Sequence, residues 1–332
     1  MPELIARQAG PALPTARGPL SSAVLDAFRQ SRMEPLQRVR AGDADPFGED
    51  LQLCLHLCYE LHYRGWSGVP AEWEWNTELL GFRAGLESAF LAALQKAVTG
   101  GTDVAAEFDK MLVEPVDANG VTHFLRDSGE WWQMREYFAH RSIYHLKEAD
   151  PHAWVIPRLS GPAKAALVAV EFDEFGGGRA DRIHAQLFAD LLAAAGLDNA
   201  YLGYLNHVPA CSLAIVNMMS LFGLHRRWRG ALVGHFAAAE ISTAPSARRL
   251  EAALTRLDAP QPCRFFYTEH IEAVHEQIMR NDVVGALLAE EPELAEDVVF
   301  GIQSTDLLEE WLAGHLLDAW RGERTSLRTP LA

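Results

Sequence analysis

Glu148, Glu174 and His184 put two carboxylates and an imidazole on three segments of helical character, HLKEADPH, EFDEFGGG and DRIHAQLF. A fourth stretch, YTEHIEAVHEQI, adds His270, Glu272 and His275. Carboxylates and imidazoles projected inward from several helices are how helical bundles hold a pair of iron ions. The same donors suit ferrous iron with positions left open for dioxygen. No Gly-rich phosphate loop, nucleophile elbow or paired CxxC offers a competing chemistry.

Each candidate also has a plain structural reading. Glu174 shares one helix side with Leu167, Val170 and Glu171, and a carboxylate behind an apolar stripe is costly unless paired or bound to a cation. Equally, it could precede the glycine turn in solvent. His184 falls in a stripe with Ile183, Leu187 and Leu191, where a hydrogen-bonded core histidine is the commoner occupant. Asp181, one turn earlier, is either the helix cap or a further carboxylate at the same site. Glu148 closes a helix whose face bears Arg141, Tyr144 and His145; these offer either a surface contact or hydrogen bonds that orient a ligand.

In the fourth stretch, Ile271, Val274 and Ile278 define the buried stripe, flanked on opposite sides by His270 and His275. The two histidines stand about 140° apart round an ideal helix, so gripping one ion together would take a π-bulge. His235 and Glu240, in GHFAAAE, read as hydrogen-bond partners of the site or of the core. No catalytic group beyond metal ligands stands out. The joint occurrence of these residues favours a metal site over the separate readings.

The elements that must position them are helices. Helical period covers 49–63, 78–98, 104–112, a long stretch 128–149 stopped by Pro151, and a helix from Pro162 to Glu174. It continues over 180–195, 210–222, 230–240, 246–257, 267–281, 282–290, 293–301 and 304–320, with little strand-like alternation. The expected fold is all-α and bundle-like. Residues 1–20 read as a flexible arm, 21–127 as an N-terminal helical layer holding Trp66, Trp73 and Trp75, 128–322 as the metal-binding core and 323–332 as a tail.

Of the 332 residues, 49% are hydrophobic and 22% charged, which suits a soluble globular chain. A net charge of −16 disfavours nucleic acid and anionic lipid, and the short basic run from His225 to Arg229 reads as structural. Four cysteines without a disulfide or zinc framework fit a reducing cytoplasm. No apolar run suggests a signal peptide or a membrane span.

These segments resemble the heme-oxygenase-like diiron oxidases and oxygenases, the bacterial group of iron-containing redox enzymes. The resemblance runs from about Glu49 to Trp320 and is strongest over KEADPH, VEFDEFGGGRADRIH, MSLFGLHRRWRGALVGHFAAAE, FFYTEHIEAVHEQI and DVVFGI. It implies a heme-oxygenase-like bundle, two Fe(II) ions and dioxygen as co-substrate. Glu148, Glu174 and His184 fall on the family's ligand positions, and Asp181 on the place of an additional flexible carboxylate.

The third core helix departs from the family pattern of His, Asp and His at i, i+4 and i+7. From His270 those later positions hold Val274 and Gln277. Either a bulge lets His270, Glu272 and His275 all contribute, or one iron site is depleted. Glu272 and His275 keep the carboxylate-to-histidine spacing, with His270 as a further candidate.

The resemblance implies an Fe(II)- and O2-dependent oxidoreductase of specialised metabolism acting on a small carboxylate-bearing metabolite. Amino-acid desaturation or C–H functionalisation leads N-oxygenation and oxidative C–C cleavage. The expected partners are that small molecule, a second copy in a homodimer and an external electron source. The alternatives are a catalytically inactive binding protein on the same scaffold and a heme-binding or cofactor-free enzyme.

Overall fold

The computed structural model describes residues 10–40, 42, 44–113, 118–272 and 275–331, the side chain of Glu272 excepted. Among these residues there is no strand, and the chain is all-α. It divides into two compact units, one ending at Ala93 and the other beginning at Leu94.

In the first unit, residues 10–18 are not helical but are tied down: Ser67 N–H donates to the Pro11 carbonyl at 2.9 Å and Arg17 pairs with Glu49 at 2.7 Å. Helix α1 (Pro19–Gln30) opens on a proline, and the Asp50 carboxylate accepts from the N–H groups of Leu20 and Ser21, both at 2.8 Å. Those first-turn donors have no partner within the helix, so a carboxylate from a neighbouring element satisfies them. Asp50 belongs to α2 (Glu49–Glu60), which is buried from Leu51 to Glu60, free Cys54 and Cys58 included. Trp66 and Trp73 are packed as expected, but Trp75 is 67% exposed, in an edge contact with the His62 ring. Helix α3 (Thr77–Ala97) follows.

The second unit carries the site. Helices α4 (Val104–Leu112) and α5 (Val121–Asp127) precede α6 (Trp131–His145), which starts at a capping box between Glu130 and Gln133. The sequence suggests one helix to 149 stopped by Pro151. Instead α6 ends at His145, residues 146–149 form a turn with Ala149 at φ +73°, and Pro151 occupies the first turn of the short α7 (Asp150–Ala153). Proline is well placed there because its missing N–H would have no helical partner.

Next come α8 (Gly161–Glu174), α9 (His184–Ala194) and α10 (Ala210–Leu224). Helix α10 is buried on every side from Ala210 to Gly223, as a helix without a charged residue must be.

Two pairs of expected helices are continuous: 230–240 and 246–257 form α11 (Arg229–Arg256), which passes through Pro245. After α12 (Gln261–Glu272), α13 (His275–Gln277), a π-helical segment Ile278–Gly285 and α14 (Ala286–Glu290), the expected 293–301 and 304–320 form α15 (Ala295–Arg321). Helices α11 and α15 cross closely because a Cβ on Gly234 would meet the Val298 carbonyl and one on Gly301 the Ala231 carbonyl. The basic run is structural, with Arg227 pairing to Asp297 and Arg229 to Glu291.

Candidate metal centre

Glu148 lies on the turn after α6, and Glu174 is the last residue of α8. The three glycines that follow all have positive φ, and at Gly176 (φ +72°) a Cβ would stand 2.6 Å from the Arg182 backbone. Only glycine allows that reversal, which lays His184, the first residue of α9, beside Glu174. His184 therefore opens its helix rather than lying within 180–195. His270 comes from α12, His275 from the start of α13 and Glu240 from the middle of α11.

The donors form two groups, each able to surround one ion: Glu148, His184 and His270, then Glu174, Glu240 and His275, with ligand atoms within 4.8 Å of one another in each. Glu174 connects them. Its Oε2 lies 2.7 Å from His184 Nδ1 in the first group, and its Oε1 lies 3.4 Å from His275 Nδ1 in its own. His275 Nδ1 is also 3.1 Å from Glu240 Oε2, while its Nε2 reaches Asp173 at 3.3 Å. His270 Nδ1 donates to the Phe266 carbonyl at 2.7 Å, which turns Nε2 toward Glu148 Oε1, 3.7 Å away. A histidine fixed through one nitrogen so that the other is presented is the arrangement of a metal ligand with its supporting bond.

All but Glu240 of these six are more than nine-tenths buried. Glu148 Oε2 has no hydrogen-bond partner, and His184 Nδ1 and His270 Nε2 face carboxylate oxygens without hydrogen-bond geometry, a cost in an interior that a shared divalent cation would remove. The donor set fits iron. Without an ion, protons supply the positive charge. Burial works to lower His270 and His275, but Glu148 beside the first and Glu240 beside the second hold both at about 9. Burial likewise works to raise Glu148, yet His145 and His270 keep it well below the usual carboxylate range. Burial, then the charge of Glu174, pushes Glu171 up to about 9.

Asp181 is exposed on a 3-10 turn, neither capping α9, whose N-cap is Ile183, nor joining either group. The Glu272 side chain lies outside the described residues. His145 Nδ1 is 2.9 Å from Glu148 Oε1, whereas Arg141 makes a two-pronged pair with Glu309 at 2.7 and 2.6 Å. Tyr144 lines the same cavity, and burial followed by the charges of Glu148 and Glu174 keeps it protonated. His235 bonds Thr305 Oγ1 at 2.8 Å and belongs to neither group. Glu240, read from sequence as a hydrogen-bond partner, stands among the donors.

The cavity has a volume of about 390 Å³ and is bordered by Glu148, Glu174, Glu240 and His270 on one side and by Arg141 and Asp306 elsewhere. Such a volume suits a small molecule.

An all-α bundle whose interior presents two linked carboxylate–histidine groups beside a cavity defines an iron-binding class of helical oxidoreductases. The model of the family described as "Iron-containing redox enzyme" matches residues 135–310, more than half of the chain, and the chain belongs to that family. No curated protein matches it. Among the described residues, no helix is long and apolar enough to cross a membrane.

Proposed function

We propose that the protein is a non-heme diiron oxidase or oxygenase that uses dioxygen to oxidise a small amino-acid-like metabolite. The observation that carries this is the position of Glu174, with one carboxylate oxygen toward each group of donors. A carboxylate so placed can be shared by two adjacent ions, with Glu148, His184 and His270 completing one set and Glu240 and His275 belonging to the other. When bound, the iron pair supplies electrons to dioxygen.

The protein's own groups bind and orient the substrate. Arg141 borders the cavity with a guanidinium paired to Glu309, a partner that a substrate carboxylate would share or displace. Asp306, pushed up to about 6 by burial and then by Glu310, brings an acceptor suited to an ammonium. An α-amino acid carries both. Phe266 and Leu312 in the cavity wall limit water there. Desaturation or C–H functionalisation is the favoured outcome. Desaturation takes two electrons and two protons from the substrate, whereas reduction of dioxygen to water takes four of each, so an external donor supplies the rest.

The test is anaerobic Fe(II) titration followed by mixing with O2, with free amino acids as candidate substrates. Two irons per chain and O2 uptake accelerated by one of them are expected. Glu148→Ala and His184→Ala should each lower turnover by at least about 100-fold and reduce retained iron, with helical content preserved. Full activity in either variant would remove the site assignment.

A further inference from the structure

Glu171 lies one helical turn before Glu174 on α8 and is only 2% exposed, yet neither carboxylate oxygen has a hydrogen-bond partner. The charges that act on it are Glu174, Glu240 and Asp150, all of its own sign. A carboxyl group kept in an interior without a donor or a cation is a standing cost, and apolar residues of its size fit such a position without one.

The two groups of donors are also unequal. The first can draw on Glu148, His184, His270 and the near oxygen of Glu174; the second has Glu174, Glu240 and His275. Among the described residues the second set is thus one protein donor short, and the unpartnered carboxylate is the one on which Glu174 and Glu240 of that set act.

We infer that Glu171 is the missing donor, a carboxylate that turns onto a divalent ion held by Glu174, Glu240 and His275. This rests on the two-ion reading above. The rise between Glu171 and Glu174 is about 4.5 Å, a distance that rotation of a glutamate's side-chain torsions covers without moving the helix. The proposal explains why this buried position holds an acid while Leu167 and Val170, on the same face, are fully buried hydrocarbon.

The experiment is Co(II) titration followed by visible ligand-field absorption, on the wild type, Glu171→Gln, Glu171→Leu and Glu272→Gln, together with thermal melts of the metal-free proteins. The wild type should take up two equivalents. In Glu171→Gln and Glu171→Leu the first equivalent should bind as in the wild type. The second should weaken by at least about 10-fold with an altered spectrum. The metal-free Glu171→Leu protein should melt at or above the wild-type temperature, because the unpaired acid is gone.

Wild-type affinity and spectrum for the second equivalent in both Glu171 variants would overturn the inference and leave the two-ion reading standing. So would loss of the second equivalent in Glu272→Gln alone, or a lowered metal-free melting temperature with both equivalents weakened alike, which marks a structural residue. A wild type that takes one equivalent only would remove the two-ion reading and the inference with it.

Discussion

Burying Glu240 near Glu174 sets two like charges together, and burial first, then Glu174, raises the Glu240 pKa. His275, 3.1 Å away, offsets this with a proton, and an ion would offset it better. Replacing Glu240 with Ala should therefore cost iron rather than fold: retained iron should drop from about two per chain to about one, measured by metal analysis after gel filtration. Unchanged iron would return Glu240 to the hydrogen-bonding role that its sequence suggests. That role was the natural reading because GHFAAAE bears no spacing relation to the other donors; only the tertiary approach of α11 to α13 joins them. A weak signal was present, since Glu240 follows a run of small residues, Ala237 to Ala239, that mark a close helix contact. Glu148, Glu174, His184, His270 and His275 were legible because each sits in a short motif with its own apolar frame. The separate duties of His270 and His275 were not legible, because an ideal helix gives their angle and not which neighbour each one faces.

At the scale of elements, the glycines act through backbone approach, and two of them separate site from scaffold. Alanine at Gly176 would need a left-handed backbone and would press on Arg182, pushing α9 away from α8. Gly176→Ala should weaken binding of the ion shared by Glu174 and His184 while costing about 1–3 kcal/mol of stability. Gly234→Ala presses instead on the Val298 carbonyl between α11 and α15. It should cost a similar about 1–3 kcal/mol in denaturant melts. Its iron content, normalised to folded protein, should stay unchanged. Equal iron loss in both would mean that the α11–α15 crossing also sets the donor geometry.

Burial explains where helix boundaries escaped the sequence. Pro245 lacks the N–H that would bond Ile241, yet α11 continues, because Ala237, Ala238 and Ile241 before it and Ala247, Leu250 and Ala253 after it are all buried. Tertiary burial on both sides outweighs one lost hydrogen bond. The opposite happened at 146–149, where helical period continues but the chain turns and presents Glu148 inward.

Across the whole molecule, buried titratable groups give the metal-free protein a stability maximum whose alkaline side the ion should remove. His235 is lowered to about 4 by burial, and burial also holds His140 and His152 well below 6.5. A histidine that is neutral when folded and protonated when unfolded loses stability as pH falls below about 6.5. For His235 alone that reaches about 3 kcal/mol near pH 4. His270 and His275, at about 9 when folded, act in the other sense: their contribution is complete below about 6.5 and disappears as pH rises to 9. Glu171, also at about 9, loses stability over the same alkaline range because it must ionise in an apolar place, and below 6.5 it partly offsets the histidines. The metal-free melting temperature should therefore peak near pH 6.5 and fall on both sides. With Fe(II) bound under anaerobic conditions, the ions replace the protons on His270 and His275, so the fall from pH 7 to 9 should flatten while the fall below about 6.5 steepens. Parallel melting curves with and without iron across that alkaline range would mean that these histidines do not carry the ions.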